Sequence, residues 1–404
     1  MDFFKNYFVT GDYTVGGVGL RGTGVNGWAT GNIYFDAAHQ NQAPNDAVVV
    51  AAFLYWEAIE STDQPSTMNG YFQGYPIVGV PVPAAQNSPE GPNTPPCWSS
   101  GGGTGSSNGS KHLRVYRADV APYMVINAKY GVNTPASMPY RVKLQDSGSN
   151  GAGTPLTEGA SLVIVYRSLS AGTFKGVVIY NGAWTMNNAF PYMSQTIQGF
   201  YEAQAGTARI THIVGDGQLN FGENVTVSDG IDSQTSASPF YGAQGYSWDN
   251  ATIPLTVTVN AQGTVNNPLA TFTTQVLPSA SAMDCLSWGA VVASTPVVDT
   301  DGDGLLDVWE QNQGYSDQKA NADGTHDWVA LPGAQVNQKD LFVQIDYLNN
   351  TGAAAQQYGE VAHSHLPKYS ALQKIGEAFQ YSGGMRAHFD VGANYQGITP
   401  AGSD

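Results

Sequence analysis

Ala47-Val48-Val49-Val50-Ala51-Ala52-Phe53-Leu54-Tyr55-Trp56-Glu57 holds the longest apolar stretch of the chain. It is too short for a bilayer span, which needs about 18 or more such residues, and its Val and aromatic content suits a buried β-strand. Comparable runs recur around it, at residues 112–120, 140–144, 160–168, 174–180, 208–214 and 255–259. Each is rich in Val, Ile, Tyr or Thr and is bounded by Gly, Asn, Pro or Ser, the pattern of antiparallel strands. No amphipathic helix interrupts residues 1–293, and no fixed-period repeat points to a propeller or solenoid. The expected fold is mainly β: a large antiparallel, jelly-roll-like β-sandwich over 1–293. It reads as one elaborated sandwich, or as two sub-sandwiches if residues 147–155 are a linker rather than a hairpin loop. The Ser/Gly stretch 99–110 reads as a mobile surface loop. The glycine-rich run 15–24 reads as turn material, because no helix follows to make it a nucleotide loop.

Composition narrows the function classes. Only 12% of the 404 residues are charged, against roughly 25% in ordinary soluble domains, while 42% are hydrophobic. Such a chain folds rather than staying disordered. Thirty-two acidic residues against 16 basic ones give a net charge of −16, which repels phosphate backbones and anionic lipid surfaces, so nucleic acid is excluded as a partner. The start, Met1-Asp2-Phe3-Phe4-Lys5, has neither the basic flank nor the apolar core of an export signal, which implies a signal removed or never included. Cys97 and Cys285 allow one disulfide of an oxidising compartment; two unrelated buried thiols are the alternative. The expected location is secreted, extracellular or at a cell surface.

The pattern changes near residue 294. Asp299-Thr-Asp301-Gly-Asp303-Gly304-Leu305-Leu-Asp307-Val-Trp-Glu310 matches a twelve-residue calcium loop. Carboxylates stand at positions 1, 3 and 5, Gly at 6 for the sharp turn, a backbone carbonyl (Leu305) at 7, Asp307 at 9 and Glu310 at 12. Five carboxylates in twelve residues repel one another without a cation. Calcium, a hard ion that takes six to eight oxygens in flexible geometry, is the expected cofactor. The preceding Ser294-Thr-Pro-Val-Val has no helical character. The loop therefore looks less like a full EF-hand than like the single-helix calcium loops of dockerins and thrombospondin type 3 repeats.

Weaker candidates follow. Asn321, Asp323 and Asp327 have the alternation of a partial second loop but lack its closing Glu. Asp216, Asp229 and Asp232 lie in Gly-rich turns, where Asp is common because it hydrogen-bonds the turn backbone. His363 and His365, two apart, share a face if extended, as a zinc site requires; the nearby Pro367 reads instead as a loop entering a helix, where His is a surface residue. His388 reads as a satisfied core histidine. No H-E-x-x-H, phosphate loop or Cys-x-x-Cys is present.

Residues 294–335 thus read as a calcium-binding linker, and 336–404 as an incomplete α/β unit. Its parts are a strand from Asp340, a helix from Lys368 with Leu372, Ile375 and Phe379 at helical spacing, and a second strand over 385–392. A crossover of this length implies a parallel pair. One such unit does not cover its own sheet, so it reads as the start of a longer domain.

DGDGLLDVWE, then DGTHDW, KDLFVQIDYL, HSHLP and MRAHFDVG make the last quarter resemble a family of secreted bacterial zinc metallopeptidases. The resemblance implies an N-terminal β region and a calcium linker leading to a β-α-β start, with a zincin helix further on. That helix's H-E-L-G-H is missing here, so no catalytic residue carries over. Three functions remain as expectations. The first is an extracellular calcium-binding structural or adhesive protein that assembles with copies of itself. The second is the N-terminal portion of a zinc metallopeptidase, whose partner is a missing C-terminal domain. The third is a carbohydrate-binding module using its Tyr and Trp faces. A cell-surface or matrix polymer is a further expected partner.

Overall fold

The computed structural model describes residues 1–61, 64–84, 96–97, 111–124, 129, 131–135, 137–149, 153–188, 190–258, 261–262, 270–279, 283–350, 356–357, 359 and 361–392. The 99–110 stretch and residues 150–152 lie outside them. The chain forms two units, residues 1–297 without 264–267, and 298–404 with 264–267.

The named strands of the first unit all pair antiparallel, and its long strand Asp2–Gly19 organises it. Residues 2–10 of that strand pair with Phe174–Met186, and residues 11–19 pair with Leu156–Arg167. The crossing falls at Gly11, where a Cβ would lie 2.0 Å from the Tyr166 carbonyl oxygen, so only glycine fits. On one side the ladder continues through Leu286–Pro296, Gly206–Gly215 and Trp248–Val257; on the other it continues through Val48–Glu60, His112–Asp119 and Val80–Val82.

The opening stretch of sequence shows why these strands are continuously apolar. Ala52, Leu54, Trp56 and Ala58 enter one core, shared with Ile33, Phe72, Tyr140 and Leu144 of a four-stranded sheet. The alternate residues Ala51, Phe53 and Tyr55 enter a second core with Tyr13, Val177, Ile179 and Val292, between the two halves of the long ladder. A third core joins Ile210, Ile253, Trp288 and Val291 to Met193, Val225, Phe272 and Val276 of another four-stranded sheet. The β region is therefore layered as two sandwiches back to back, and its inner strands are buried on both faces. The glycine-rich run 15–24 is not turn material at its start. Gly16, Gly17 and Gly19 lie within the strand, and a Cβ on Gly17 would stand 2.3 Å from Asn250 Nδ2. Cys97 and Cys285, 188 residues apart, are joined with a Cα–Cα distance of 5.4 Å.

The second unit contains the one-turn helix Asp307–Gln311, the hairpin Gly314–Ala320/His326–Ala330, and the parallel pair Asp340–Gln344/Arg386–Asp390. Helix Tyr369–Gly383 connects the parallel strands and ends on Gly384 in the left-handed conformation, φ 65°. Leu372 is buried, but Ile375 and Phe379 keep 43% and 38% exposure, so the apolar stripe is only partly covered. The antiparallel pair Asn349–Asn350/His363–Ser364 completes the unit's described elements.

Two-sided burial also traps acid. Glu57, Glu158 and Asp216 are buried, and Asp216, expected to hydrogen-bond the turn backbone, pairs instead with Arg21. Ser287 Oγ donates to Glu57 Oε2 at 2.7 Å and lies 3.2 Å from Glu158 Oε2, while Arg21 pairs with Glu158 and Asp216. Burial first, and Glu158 second, raise the Glu57 carboxyl far above its ordinary range. Burial likewise pushes Asp284 up to about 8 and Glu223 up to about 7. A carboxyl with a raised folded pKa stabilises the fold below the ordinary carboxylate range, and that contribution is lost as pH rises through the folded value. We expect this unit to melt several degrees higher near pH 5 than near pH 8 in chelator, with Asp284→Asn plus Glu223→Gln flattening the slope. Melting curves across that range test it; stability that climbs toward pH 8 contradicts the raised carboxyls.

Candidate metal centre

The loop 299–310 is shaped by two left-handed glycines, Gly302 at φ 75° and Gly304 at φ 99°, which side-chain-bearing residues rarely adopt. Leu306, Val308 and Trp309 are buried and pin its far end, with Trp309 stacked on Tyr315 at 4.1 Å between ring centres. Between these anchors the carboxylates of Asp299, Asp301 and Asp303 converge, with ligand oxygens within 4.8 Å of one another. Asp299 accepts from the backbone N–H groups of Gly302, Asp303 and Gly304, which curls the loop around it. Leu305 at the seventh position donates its N–H to Asp303 Oδ1 at 2.7 Å.

Glu310 is the decisive side chain. It is 1% exposed, and neither carboxylate oxygen has a hydrogen-bond partner among the described residues. Burial, then the fields of Asp301, Asp303, Asp307 and Asp340, push it up to about 8. Asp301 Oδ2 is also buried without a partner, and burial followed by Asp303 and Asp299 pushes Asp301 up to about 6. An unpaired buried carboxylate costs several kcal/mol, and a divalent cation among these oxygens removes that penalty. The donor set is all oxygen and contains no nitrogen or sulfur, which suits a hard ion such as calcium.

Asp307 occupies the ninth position but is engaged elsewhere: it accepts from Thr300 N at 2.7 Å and from Thr300 Oγ1 at 2.6 Å, closing the loop on itself. Asp340 is a participant that loop spacing does not reveal. Its N–H donates to Asp303 Oδ2 at 2.6 Å, while its buried carboxylate accepts from Arg386 Nε and Nη2 at 2.9 and 2.8 Å and meets His388 Nε2 at 2.8 Å. Lys339 Nζ donates to the Gly302 carbonyl at 3.2 Å. The loop is thus tied to both strands of the parallel pair.

The weaker candidates separate. Asn321, Asp323 and Asp327 lie in and beside the turn of the 314–330 hairpin. Asn321 Nδ2 donates to Asp327 Oδ1 at 2.9 Å, and Asp323 accepts from Thr325 N and Oγ1 at 3.0 and 2.6 Å. They satisfy one another as turn residues and form no convergent group among the described residues. His363 and His365 stand exposed at the 363–364 strand, with Nε2 atoms 3.1 Å apart. His388 stacks on Phe342 with ring centres 4.3 Å apart.

No family model matches the chain, and no curated protein matches it. Among solved structures, it is similar to the VP2 subviral particle of infectious bursal disease virus, at 11% identity over 72% of this chain and 70% of that one, with a TM-score of 0.19. It is similar to PNGF-II at 9% identity over 73% and 66% of the two chains, with a TM-score of 0.23. It is similar to the mavirus major capsid protein at 10% identity over 79% and 90%, with a TM-score of 0.16. Likenesses this distant say nothing about function.

Titration calorimetry checks the centre. One calcium ion per chain is expected, with a dissociation constant of about 10⁻³–10⁻⁴ M or tighter. Glu310→Gln and Asp301→Asn should each weaken it at least tenfold, and unchanged heats in both variants would remove the site.

Proposed function

We propose that this chain is a calcium-binding, β-rich structural protein of the extracellular space, in which the ion acts as a structural clamp and not as a reactant. The observation that carries this reading is Glu310: a buried carboxylate without a hydrogen-bond partner among the described residues, in the fields of Asp301 and Asp303, two of the three converging aspartates. In this reading Asp299, Asp301, Asp303, the Leu305 carbonyl and Glu310 hold the ion, and Asp307 closes the loop through Thr300. The clamp acts on the α/β segment because Asp303 also accepts from Asp340 N, and Asp340 grips Arg386 on the neighbouring strand. Ion binding and pairing of the two strands then stabilise one another. The Cys97–Cys285 disulfide and the millimolar-range affinity of such loops both suit an extracellular setting. No helix among the described residues is long and apolar enough to cross a membrane.

Self-association belongs to the same proposal. Ile375 and Phe379 on the 369–383 helix leave apolar surface open to water, and a second copy of the chain is the occupant we assign to it.

Two measurements test these claims. Amides of 340–344 and 386–390 should exchange hydrogen at least tenfold more slowly in calcium than in chelator, with magnesium ineffective; equal protection in all three conditions rules out the clamp. Sedimentation of the wild-type chain should show association that Ile375→Glu plus Phe379→Glu abolishes, and a wild-type monomer at about 100 μM would refute self-assembly.

A further inference from the structure

His363 and His365, both exposed in the second unit, bring their Nε2 atoms within 3.1 Å of each other. His363 pairs across the short ladder with Asn350, and His365 N–H donates to the Leu348 carbonyl at 2.9 Å, so both backbones are fixed against the same strand. His363 Nδ1 lies 2.7 Å from the Val361 carbonyl oxygen. A carbonyl can only accept, so this nitrogen holds the ring proton, and in the neutral imidazole Nε2 presents its lone pair. That lone pair faces Nε2 of His365 at 3.1 Å.

The ring centres are 4.8 Å apart and the rings are inclined by 69°. A head-on hydrogen bond of this length would set the centres about 5.5 Å apart, because each nitrogen lies about 1.2 Å from its ring centre. The two centre-to-nitrogen axes are therefore not collinear. If an ion lies about 2.05 Å from each nitrogen, the observed nitrogen separation requires an N–ion–N angle of about 98°, and this angle returns ring centres about 4.8–4.9 Å apart. Both distances are thus compatible with a single ion bound at the bond length of a zinc-type site.

We propose that His363 and His365 form a two-nitrogen site for a borderline divalent cation of the zinc type, distinct from the all-oxygen loop at 299–310. Nitrogen donors exclude calcium from this site, as carboxylate and carbonyl oxygens favour calcium at the other. The Val361 carbonyl orients the first ligand, the ordinary second-sphere arrangement of a metal-binding histidine. With both rings exposed, the remaining coordination positions are open to water or to a donor from outside the chain.

The test is a zinc chloride titration of the full chain in excess calcium, which keeps the carboxylate loop occupied. Wild type and Asp301→Asn should each bind one zinc ion that His363→Gln and His365→Gln weaken at least tenfold. Calcium heats should stay unchanged in the two histidine variants, which sit on the surface and leave the core intact. Equal zinc heats in wild type and both histidine variants, or no zinc heat from wild type, would overturn the proposal.

Discussion

Burial of a strand on both faces is the constraint from which most of this structure follows. The inner strands of the β region face a core on either side, so neither set of alternate side chains is free to be charged. That condition accounts for the uninterrupted apolar run at 47–56 and for the low charge content. It also explains glycines inside the 2–19 strand, where a neighbouring side chain or backbone occupies the space a Cβ would need.

The same desolvation acts on every acid the fold encloses, and the two units answer it differently. At Glu57, Glu158 and Asp216, neutralisation comes from within: Ser287 donates, Arg21 supplies positive charge, and Glu57 is driven toward its protonated form. At the 299–310 loop Asp299, Asp301 and Asp303 converge instead, and Lys339 Nζ donates to the Gly302 carbonyl at the rim. Glu310 is left buried beside like charges with both oxygens unpaired among the described residues, an arrangement that an oxygen-seeking cation relieves.

Asp340 connects that loop to the rest of its unit. One residue gives its N–H to a loop carboxylate and its side chain to Arg386 and His388 on the partner strand. Among the described residues the sheet is two strands wide and its helix is half-covered, so a few charged hydrogen bonds bear a large share of its order.

The sequence by itself determined the β class, a change of pattern near residue 294, the parallel strand pair and a loop dense in acids. Those features depend on local spacing: apolar runs between turn residues, Gly at the sixth loop position, and helical repeats ending on glycine. Only the tertiary structure decided that the β region stacks in two sandwiches. It also decided that Asp216 lies buried on Arg21, that Asp307 bonds Thr300, that Asp340 joins the loop, and that two surface histidines converge. Each of these turns on which distant segments meet and on how much water they exclude. A local pattern of residue types holds no record of desolvation or of partners across the fold.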